Sequence, residues 1–482
     1  MREPEYELVI QETDYQLLRE HLLGDSPVEN AAYMLCGRSV HPRKAKLLVK
    51  EVVLLHDQDF NIQSDQRLQI SPEAVAQVMK RARLNNLSIV LAHSHPFCEE
   101  QVDFSWVDDK GDIESFGNFY QRVPEGPHAS LVFGQRAVRG RVWLPDMEMR
   151  QLNYITVVGS TVNKVPANGQ PREDASEYQE THDRQVLAFG INGQRRIGET
   201  VVAVVGAGGT GSVVVDQLIR LGVRRLIVID DDHVEVSNTS RIYNSTLHDA
   251  MSRTPKVAVV ERLAQSIGFD TEVCAIKGNI TEERIALDLR QADIVFCCTD
   301  NQWSRAILNQ YAYQYLTPVI DMGNKIASED GSITAANGRV YVITPDKACL
   351  WCYGILDGRR IAEESLPPGE RESLAQEGYV AGANTAAPSV IFLNTMVAGL
   401  AVGEFVNLIT QYMGRPYHPQ LTYYALTGEV KPTVYEPDPS CACATEKHNA
   451  SGDLTRLPCR ESHSNLQSSS GACSDDVLAS TL

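Results

Sequence analysis

Residues 201–238 read VVAVVGAGGTGSVVVDQLIRLGVRRLIVIDDDHVEVSN, and this stretch decides the fold of the chain around it. Its apolar, β-branched start predicts a strand buried on both faces, and the period of residues 212–221 predicts a helix. A second apolar strand follows and ends on three consecutive aspartates. The pattern G-x-G-x-x-G between the first strand and the helix lets the backbone approach phosphates at a helix N-terminus. The stretch therefore predicts a nucleotide site in a parallel α/β sheet, with Asp230 placed to hold a ribose hydroxyl.

The composition limits the classes of protein to consider. A length of 482 residues predicts two or more domains, and 43% hydrophobic with 22% charged residues is ordinary for a soluble globular enzyme. A net charge of −18 argues against nucleic acid as the main partner. The N-terminus shows no basic region followed by an apolar one, so we expect a cytoplasmic rather than a secreted protein.

The most apolar window, residues 390–409, is about long enough to span a bilayer. It contains Asn394, Glu404 and Asn407, and such polar side chains are costly inside a membrane. The window therefore predicts a core helix, and we expect no membrane partner.

Changes in composition divide the chain into four parts. Residues 1–160 alternate strand and helix patterns, and residues 161–181 are polar with Pro and Gly, which predicts a linker. Residues 182–444 alternate again with near-continuous apolar strands, as in a doubly wound sheet. Residues 445–482 are rich in small polar side chains and predict a disordered tail. We therefore expect an α/β protein with a mixed N-terminal domain and a Rossmann-like C-terminal domain.

The first chemical site lies in the stretch LAHSHPFCEEQVDFSWVDD, which begins in an apolar strand. His93 and His95 are two positions apart, so on a strand both imidazoles can reach one metal ion. Asp108 is a third candidate ligand, with Asp109 and Asp103 as substitutes. Three protein ligands and a water form a typical catalytic zinc site.

These residues resemble the motif of the JAB/JAMM metalloproteases, His-x-His-Pro followed by Ser-x-x-Asp with a glutamate upstream. That family removes ubiquitin-like proteins from conjugates or trims their C-terminal tails. The resemblance implies a catalytic zinc bound by His93, His95 and Asp108. It also implies that Glu29 is the general acid/base and that Ser105 hydrogen-bonds the developing oxyanion. Ordinary polar residues at a strand end are the alternative.

The second chemical site continues from the glycine-rich unit. Arg241, Lys256 and Asp300 follow it near successive strand ends and helix starts. Adenylation uses such groups, because the α-phosphate and the leaving pyrophosphate need cations and magnesium needs a carboxylate. A dehydrogenase gains nothing from this set, although a plain NAD-binding fold remains the alternative.

The constellation closely resembles the ThiF/MoeB and ubiquitin-activating family over roughly residues 180–443. Members use ATP and Mg²⁺ to adenylate the C-terminal glycine of a ubiquitin-like protein. The resemblance therefore implies a ubiquitin-like or sulfur-carrier protein as partner, followed by a conjugating enzyme or a sulfurtransferase. Arg184 matches the family's early arginine, which reaches the ATP of the other protomer, and this implies a homodimer. The residues assigned to ATP, its phosphates or Mg²⁺ are Gly206, Gly208, Gly209, Gly211, Asp230, Asn238, Arg241, Lys256, Asp300 and Asn301.

Two close cysteine pairs lie far apart in the sequence, Cys349 with Cys352 and Cys441 with Cys443. Relatives in this family often bind a structural zinc with two such pairs, and four thiolates complete a zinc site. Buried or free thiols are the alternative. The loop of residues 353–388 contains no cysteine, although thioester-forming relatives carry one there, so adenylation is favoured over thioester transfer.

The sequence thus predicts a zinc metalloprotease fused to an adenylating enzyme. The protease would expose or regenerate a glycine C-terminus, and the second site would adenylate it. One alternative is activation of a sulfur carrier for biosynthesis. Another is a scaffold in which one site is degenerate and only holds a ubiquitin-like partner.

Overall fold

The computed structural model of the chain describes residues 3–24, 28–64, 67–345, 347–367, 369–371, 373, 388–445 and 448–460. These residues form two compact units. The N-terminal unit comprises the described residues of Met1–Asp174 together with Tyr313–Leu316 and Ala444–Arg456. The C-terminal unit comprises those of Ala175–Ala312, Thr317–Cys443 and Leu457–Leu482.

The N-terminal unit is a mixed α/β structure built on a nine-stranded sheet in the order β11-β10-β1-β3-β2-β6-β7-β8-β9. A separate two-stranded sheet pairs β4 with β5. The strands are β1 (Glu5–Gln11), β2 (Ala31–His41), β3 (Lys44–Leu54), β4 (Phe60–Gln63), β5 (Leu68–Ile70), β6 (Ser88–Ser94), β7 (His128–Phe133), β8 (Val138–Trp143), β9 (Met149–Gln151), β10 (Tyr154–Val158) and β11 (Val162–Pro166). The helices are α1 (Glu12–Leu23), α2 (Pro72–Leu84) and α3 (Trp106–Arg122).

The sheet is apolar on both faces near its centre, because helices cover both sides of it. One cluster of buried side chains includes Leu18 of α1, and the other includes Val78 of α2 and Phe116 of α3. Ser71 caps α2, since its side chain accepts a hydrogen bond from Ala74 N. The helix ends at Leu84, and Asn86 just after it takes a left-handed conformation with φ of 53°.

The predicted linker of residues 161–181 is wrong in its first half. Val162–Pro166 form β11, which pairs with β10, and Ala167 is fully buried. Gly169 N donates a hydrogen bond to Val138 O, which attaches the residues after β11 to β8. Residues 171–179 are the part without regular secondary structure. An edge strand needs an apolar side chain only at every second position. A short polar segment can therefore form such a strand without a continuous apolar run that would predict it.

The C-terminal unit is built on an eight-stranded sheet in the order β14-β13-β12-β15-β16-β17-β18-β19. The first five strands are parallel, and the last three join by antiparallel pairing. The strands are β12 (Val201–Val205), β13 (Arg225–Ile229), β14 (Glu272–Ile276), β15 (Ile294–Cys297), β16 (Val319–Glu329), β17 (Ser332–Ile343), β18 (Gln420–Tyr424) and β19 (Glu429–Thr433). The helices are α4 (Asp183–Glu199), α5 (Gly211–Arg220), α6 (Leu247–Met251), α7 (Lys256–Ile267), α8 (Glu283–Ala286), α9 (Gln302–Gln314), α10 (Gly358–Ser365) and α11 (Ile391–Thr410).

The order of the parallel strands is that of a Rossmann-like sheet. The chain builds β12, β13 and β14 outward on one side and then returns to place β15 beside β12 on the other. In such sheets the crevice between the two directions, at the carboxyl ends of the strands, is where ligands bind. The predicted Rossmann-like fold of this unit is confirmed.

Helix α11 lies in the core of the C-terminal unit, as predicted for the apolar window. Among the described residues it is the one helix long and apolar enough to cross a membrane, and it packs against β16, β17, α4 and α5. Its polar side chains have partners inside the fold: Asn394 Oδ1 accepts a hydrogen bond from Asn324, and Glu404 accepts two from His418. Asn407 donates to a backbone carbonyl.

The predicted disordered tail of residues 445–482 is wrong for residues 448–460. Asp453 accepts a hydrogen bond from Val40 N at 2.8 Å, and Ala450 is fully buried. Trp303 Nε1 donates to Pro458 O at 2.6 Å. Small polar residues suggested disorder, but here the side chain of Asp453 and backbone groups such as Pro458 O make contacts with the fold. Residues 461–482 lie outside the described residues.

Candidate functional sites

The glycine-rich loop lies where β12 meets α5, at the carboxyl edge of the parallel strands. Gly206 has φ of 96°, and a Cβ there would lie 2.7 Å from Cys298 O. A Cβ at Gly211 would clash with Gly206 O. The loops that follow β12 and β15 therefore touch, and only glycine permits this approach. A Cβ at Gly208 would meet no atom within 4 Å, so this part of the loop faces open space.

Asp230 ends β13 and holds the glycine-rich loop in place. Its Oδ2 accepts a hydrogen bond from Ala207 N at 2.6 Å, and its Oδ1 accepts one from Asp232 N at 2.9 Å. Burial raises the pKa of Asp230, and the nearby Lys256 opposes that shift. The predicted ribose carboxylate is thus at the site, and it also orders the loop.

Lys256 begins α7 and points back to the acids at the end of β13. Its Nζ lies 2.7 Å from Asp232 Oδ2 and 3.7 Å from Asp230 Oδ1. Burial acts to lower the pKa of Lys256, but the attraction of Asp230, Asp232 and Asp300 outweighs it, so the pKa is raised. The lysine therefore remains a cation at neutral pH, as a phosphate contact requires.

Arg241 lies over the glycine-rich loop. Its Cγ and Cδ would be 3.4 Å from a Cβ at Gly209, and its Nη1 donates to Ser237 O at 2.9 Å. Asn238 is buried and accepts a hydrogen bond from Glu235 N, so its side chain shapes the turn that delivers Arg241. The structure thus places the predicted arginine at the loop and gives Asn238 a supporting contact.

Asp300 and Asn301 lie in the loop between the end of β15 and the start of α9. Asp300 is exposed and acts electrostatically on both Lys256 and Arg305. Asn301 Oδ1 accepts a hydrogen bond from Ser304 N at 2.7 Å and so caps α9. The cap leaves the Asp300 carboxylate as the group with free oxygens for Mg²⁺ at this strand end.

Sequence reasoning missed one residue at this site. Asn394, near the start of α11, sits against the glycine-rich loop so closely that a Cβ at Gly209 would clash with its Nδ2. Its amide also joins Ser389 and Asn324. The sequence does show an asparagine in an otherwise apolar helix, and such a buried amide needs a hydrogen-bond partner. It does not identify that partner.

Arg184 lies near the start of α4 and is exposed. The helix is interrupted at Phe189 and Gly190, where φ and ψ leave the helical region. An arginine that contacts the ATP of another protomer would be exposed in a single chain. Its role at a partner's ATP stays a prediction.

The two cysteine pairs come together in the C-terminal unit. The Sγ atoms of Cys349 and Cys352 are 3.9 Å apart, and those of Cys349 and Cys441, like those of Cys352 and Cys443, are 3.6 Å apart. A tetrahedral zinc ion with Zn–S bonds of about 2.3 Å separates its sulfurs by about 3.8 Å. The C-x-C spacing of the second pair is therefore compatible with a four-thiolate zinc site.

Surrounding groups favour the thiolate form of Cys349, whereas burial raises the pKa of Cys441 to about 11 and the bond to Cys349 raises that of Cys443. A hydrogen bond from Cys443, together with bonds from other neighbours, lowers the pKa of Cys349 to about 5. Asp438 N donates to Cys352 Sγ at 3.4 Å. Asn309, buried in α9, accepts a hydrogen bond from Leu350 N and so fixes the first cysteine turn. Thiolates are the form that binds metal.

The sequence model of the ThiF family matches residues 182–444, which carry both the nucleotide loop and the four cysteines. The chain belongs to the ThiF family. This membership agrees with the parallel strand order and with the basic and acidic side chains gathered at the carboxyl ends of those strands.

Several relatives of this ThiF-family chain are curated proteins. The sulfur carrier protein ThiS adenylyltransferase of Bacillus subtilis is 30% identical over 174 residues, covering 36% of this chain and 49% of that protein. Ubiquitin-like modifier-activating enzyme 5 of Caenorhabditis elegans is 28% identical, covering 52% and 58%. The sulfur carrier protein adenylyltransferase of Thermus thermophilus is 28% identical, covering 57% and 93%. The chain thus spans less than two thirds of the first two relatives. A crystal structure of Escherichia coli MccB with ATP aligns at 20% identity and a TM-score of 0.44, covering 57% of this chain and 76% of that one.

The N-terminal unit of this ThiF-family chain holds a second candidate site. His93 and His95, at the end of β6, gather with Asp108 so that one ligand atom of each lies within 4.8 Å of the others. His93 Nε2 is buried without a well-formed hydrogen bond and lies 3.3 Å from Asp108 Oδ1. A buried imidazole nitrogen aimed at a carboxylate and a second imidazole is a donor set that fits zinc.

Electrostatics keep the acid of this cluster ionised. Burial acts to raise the pKa of Asp108, but the close contacts of its carboxylate with His93 and His95 outweigh it and hold the pKa well below its usual range. Glu29 lies beside the cluster, with Oε1 3.7 Å from His95 Nε2. The predicted general base is therefore adjacent to the predicted ligands.

Ser105 and Asp108 are fixed by one helix cap. Ser105 Oγ accepts a hydrogen bond from Asp108 N at 3.2 Å, and Asp108 Oδ2 accepts one from Ser105 N at 2.6 Å. Because the serine oxygen is the acceptor, its hydroxyl hydrogen is available to another group. The capping box that begins α3 thus orients both residues that the motif assigns to chemistry.

Proposed function

We propose that this chain uses ATP and Mg²⁺ to adenylate the C-terminal carboxylate of a ubiquitin-like or sulfur-carrier protein, and that its N-terminal unit cleaves or trims that protein with zinc. One observation carries the first half. Arg241, Lys256 and Asp300 come from three separate segments and gather around one glycine-rich loop. The names of the curated relatives support the substrate class.

Each charged group has a role in the proposed adenylation. The carrier carboxylate attacks the α-phosphorus of ATP in line, the bond to the pyrophosphate oxygen breaks, and an acyl-adenylate and pyrophosphate result. Lys256 and Arg241 stabilise the negative charge that grows on the phosphoryl oxygens and on the leaving group. Asp300 holds Mg²⁺. Phosphates would draw Lys256 away from Asp232, whose side chain is 68% exposed and so can be solvated instead.

The N-terminal unit supports a hydrolase of the JAB/JAMM type. Zinc held by His93, His95 and Asp108 would polarise the scissile carbonyl and lower the pKa of a bound water. Glu29 accepts the proton of the attacking water and passes it to the leaving amine. Ser105 donates its free hydroxyl hydrogen to the oxygen that gains charge.

The two activities form a sequence on one substrate. Cleavage produces a free glycine carboxylate, and adenylation consumes one. Four cysteines of the C-terminal unit would hold a structural zinc ion, and Arg184 would reach the nucleotide of a partner in a homodimer. Because the loop of residues 353–388 has no cysteine, we propose that the acyl-adenylate is passed on to a conjugating enzyme or a sulfurtransferase.

The test of adenylation is exchange of labelled pyrophosphate into ATP, dependent on a carrier protein that ends in glycine. We expect exchange with the wild-type chain and a loss of at least about 100-fold in Asp300→Asn. Asp231→Asn is the matched control, because Asp231 is an exposed acid just after the end of β13, another strand of the same parallel sheet. Carrier-dependent exchange that survives Asp300→Asn would overturn the proposal.

Three outcomes separate the remaining possibilities. The similarity to a ThiS adenylyltransferase favours sulfur-carrier activation, which predicts a thiocarboxylate when a sulfurtransferase and a sulfur donor are added. Conjugation predicts instead transfer of the carrier to a cysteine of a conjugating enzyme. A scaffold with a degenerate N-terminal site predicts zinc content that does not change in His93→Ala.

A further inference from the structure

The start of α3 and the loop before it carry four aspartates, and each could serve as a metal ligand on sequence grounds. They are Asp103, Asp108, Asp109 and Asp112. A metal site is useful only if one of them is presented consistently, since the coordination geometry of zinc tolerates little variation. The structure shows how the other three are occupied.

Two arginines of β8 form ion pairs with those three acids. Arg139 and Arg141 are two positions apart on the strand, so their side chains leave the same face. Arg139 Nη1 lies 3.1 Å from Asp103 Oδ2, and this pair is exposed. Arg141 Nη1 lies 2.6 Å from Asp109 Oδ1, and its Nη2 lies 2.8 Å from Asp112 Oδ2.

The contact between Arg141 and Asp112 is buried and ties α3 to the sheet. Arg141 is 8% exposed and Asp112 is 5% exposed, so each needs the other's charge. Ser130 of β7 completes the group: its hydroxyl donates to Asp112, and its Oγ accepts from Arg141 Nε at 3.2 Å. The two acids held by Arg141 follow Asp108 by one and four positions, so they fix the rotation and height of the turn that carries Asp108.

Arg141 also contacts Phe104, the aromatic residue that packs against His93. Its guanidinium carbon lies 3.8 Å from the centre of the Phe104 ring. The Phe104 ring packs in turn against His93, with centroids 6.0 Å apart. One side chain therefore supports both the helix of the third ligand and the ring of the first.

We propose that Arg141 is a positioning residue of the metal site, which occupies Asp109 and Asp112 so that Asp108, and neither of those two acids, is presented to His93 and His95. This inference rests on the proposed zinc site of the N-terminal unit. Residues that orient metal ligands from outside the coordination sphere typically change metal affinity by about 10- to 100-fold. The guanidinium fork matters as well as the charge, because it grips two carboxylates at once.

The experiment measures metal binding by the full-length chain. Zn²⁺ affinity is determined by competition with a chromogenic chelator, and Co²⁺ is used in parallel because its absorption spectrum reports the ligand set. We expect Arg141→Gln to weaken the His93-dependent site by about 10- to 100-fold and to change its Co²⁺ spectrum. Arg141→Lys should recover part of the affinity. Arg139→Gln is the matched control, with the same change of charge two positions away, and should remain within about 2-fold of wild type because its ion pair is exposed.

Two results would overturn the inference. One is wild-type affinity and an unchanged Co²⁺ spectrum in Arg141→Gln. The other is an equal loss in Arg139→Gln. If Arg141→Gln does not fold, Asp109→Asn decides instead, because Asp109 is 57% exposed on its side chain and tolerates the change. Affinity should fall several-fold there, and unaltered binding would contradict the inference. A wild-type chain without any His93-dependent zinc would overturn the proposed site itself, which is a distinguishable result.

Discussion

Cys349 Sγ lies 3.6 Å from Cys441 Sγ, although the two residues are 92 positions apart in the chain. The contact joins the turn after β17 to the segment after β19. A zinc ion at this point would close a long loop of the chain, and that closure constrains the unfolded state.

We predict that Cys441→Ser removes one zinc ion per chain and leaves the His93-dependent ion in place. The midpoint of thermal unfolding of the C-terminal unit should fall, since metal binding contributes directly to folding. Elemental analysis of purified chains gives the first number, and calorimetry gives the second. Cys459→Ser is the control, because Cys459 lies outside the cluster and contacts Ile280 O at 3.8 Å. Unchanged zinc content in Cys441→Ser would contradict the four-thiolate site.

Lys256→Met should reduce carrier-dependent pyrophosphate exchange by at least about 100-fold, because a preorganised cation at the developing charge is lost. The fold should survive, although Asp230 loses its nearest cation. Lys277→Met provides the comparison, since Lys277 is exposed at the end of β14 and its Nζ lies 3.1 Å from His233 Nε2. Equal exchange rates in the two variants would remove Lys256 from the mechanism.

The homodimer prediction can be tested by mixing two inactive variants. Arg184→Ala lacks the arginine given to the partner's site, and Asp300→Asn lacks the magnesium ligand of its own site. In a mixed dimer of these variants one of the two sites is intact, because symmetric partners exchange equivalent residues. Random mixing of equal amounts should therefore restore about a quarter of wild-type exchange. If the mixture stays inactive after subunit exchange, Arg184 does not act across protomers.

Stability of the N-terminal unit should depend on pH through His128. Its Nδ1 accepts a hydrogen bond from Ile89 N and its Nε2 lies 2.9 Å from Val123 O, so the neutral ring fits the fold. Burial lowers the pKa of His128 to about 4. In the unfolded chain the ring protonates near pH 6.5, so stability is complete above that pH and falls until about pH 4.

Between pH 7.5 and pH 5 this single group should remove about 2 kcal/mol of unfolding free energy. Urea unfolding at the two pH values measures the loss. His128→Gln, which keeps one acceptor and one donor but does not titrate, should show that much less pH dependence. An identical dependence in the variant would show that His128 is protonated in the folded state.

Much of the fold follows from local patterns. Two local patterns place the first two elements of the C-terminal sheet to within a residue. The run VVAVV marks β12, and the glycines with the helical period of residues 212–221 mark α5. The grouping of charged side chains at the strand ends could also be predicted from the sequence, because parallel strands bring their carboxyl ends to one edge of the sheet. Arg241, Lys256 and Asp300 could therefore be grouped before their positions were known.

Contacts between distant residues could not be read in the same way. Nothing local to Asn394 indicates that it meets the glycine-rich loop, and nothing local to Arg141 indicates which aspartates it binds. The strand Val162–Pro166 and the ordered residues 448–460 were missed for a related reason. Both segments are polar in composition and are held largely by backbone hydrogen bonds, which leave no trace in the side-chain pattern.

The central claim is that the two sites act in sequence on one carrier protein. The most direct measurement is pyrophosphate exchange with two forms of that carrier, one ending in glycine and one extended by a short peptide beyond it. We predict that the wild-type chain with zinc supports exchange with both forms. We predict that His93→Ala supports exchange only with the form that ends in glycine. Exchange with the extended form by His93→Ala, or its absence in the wild-type chain, would contradict the account.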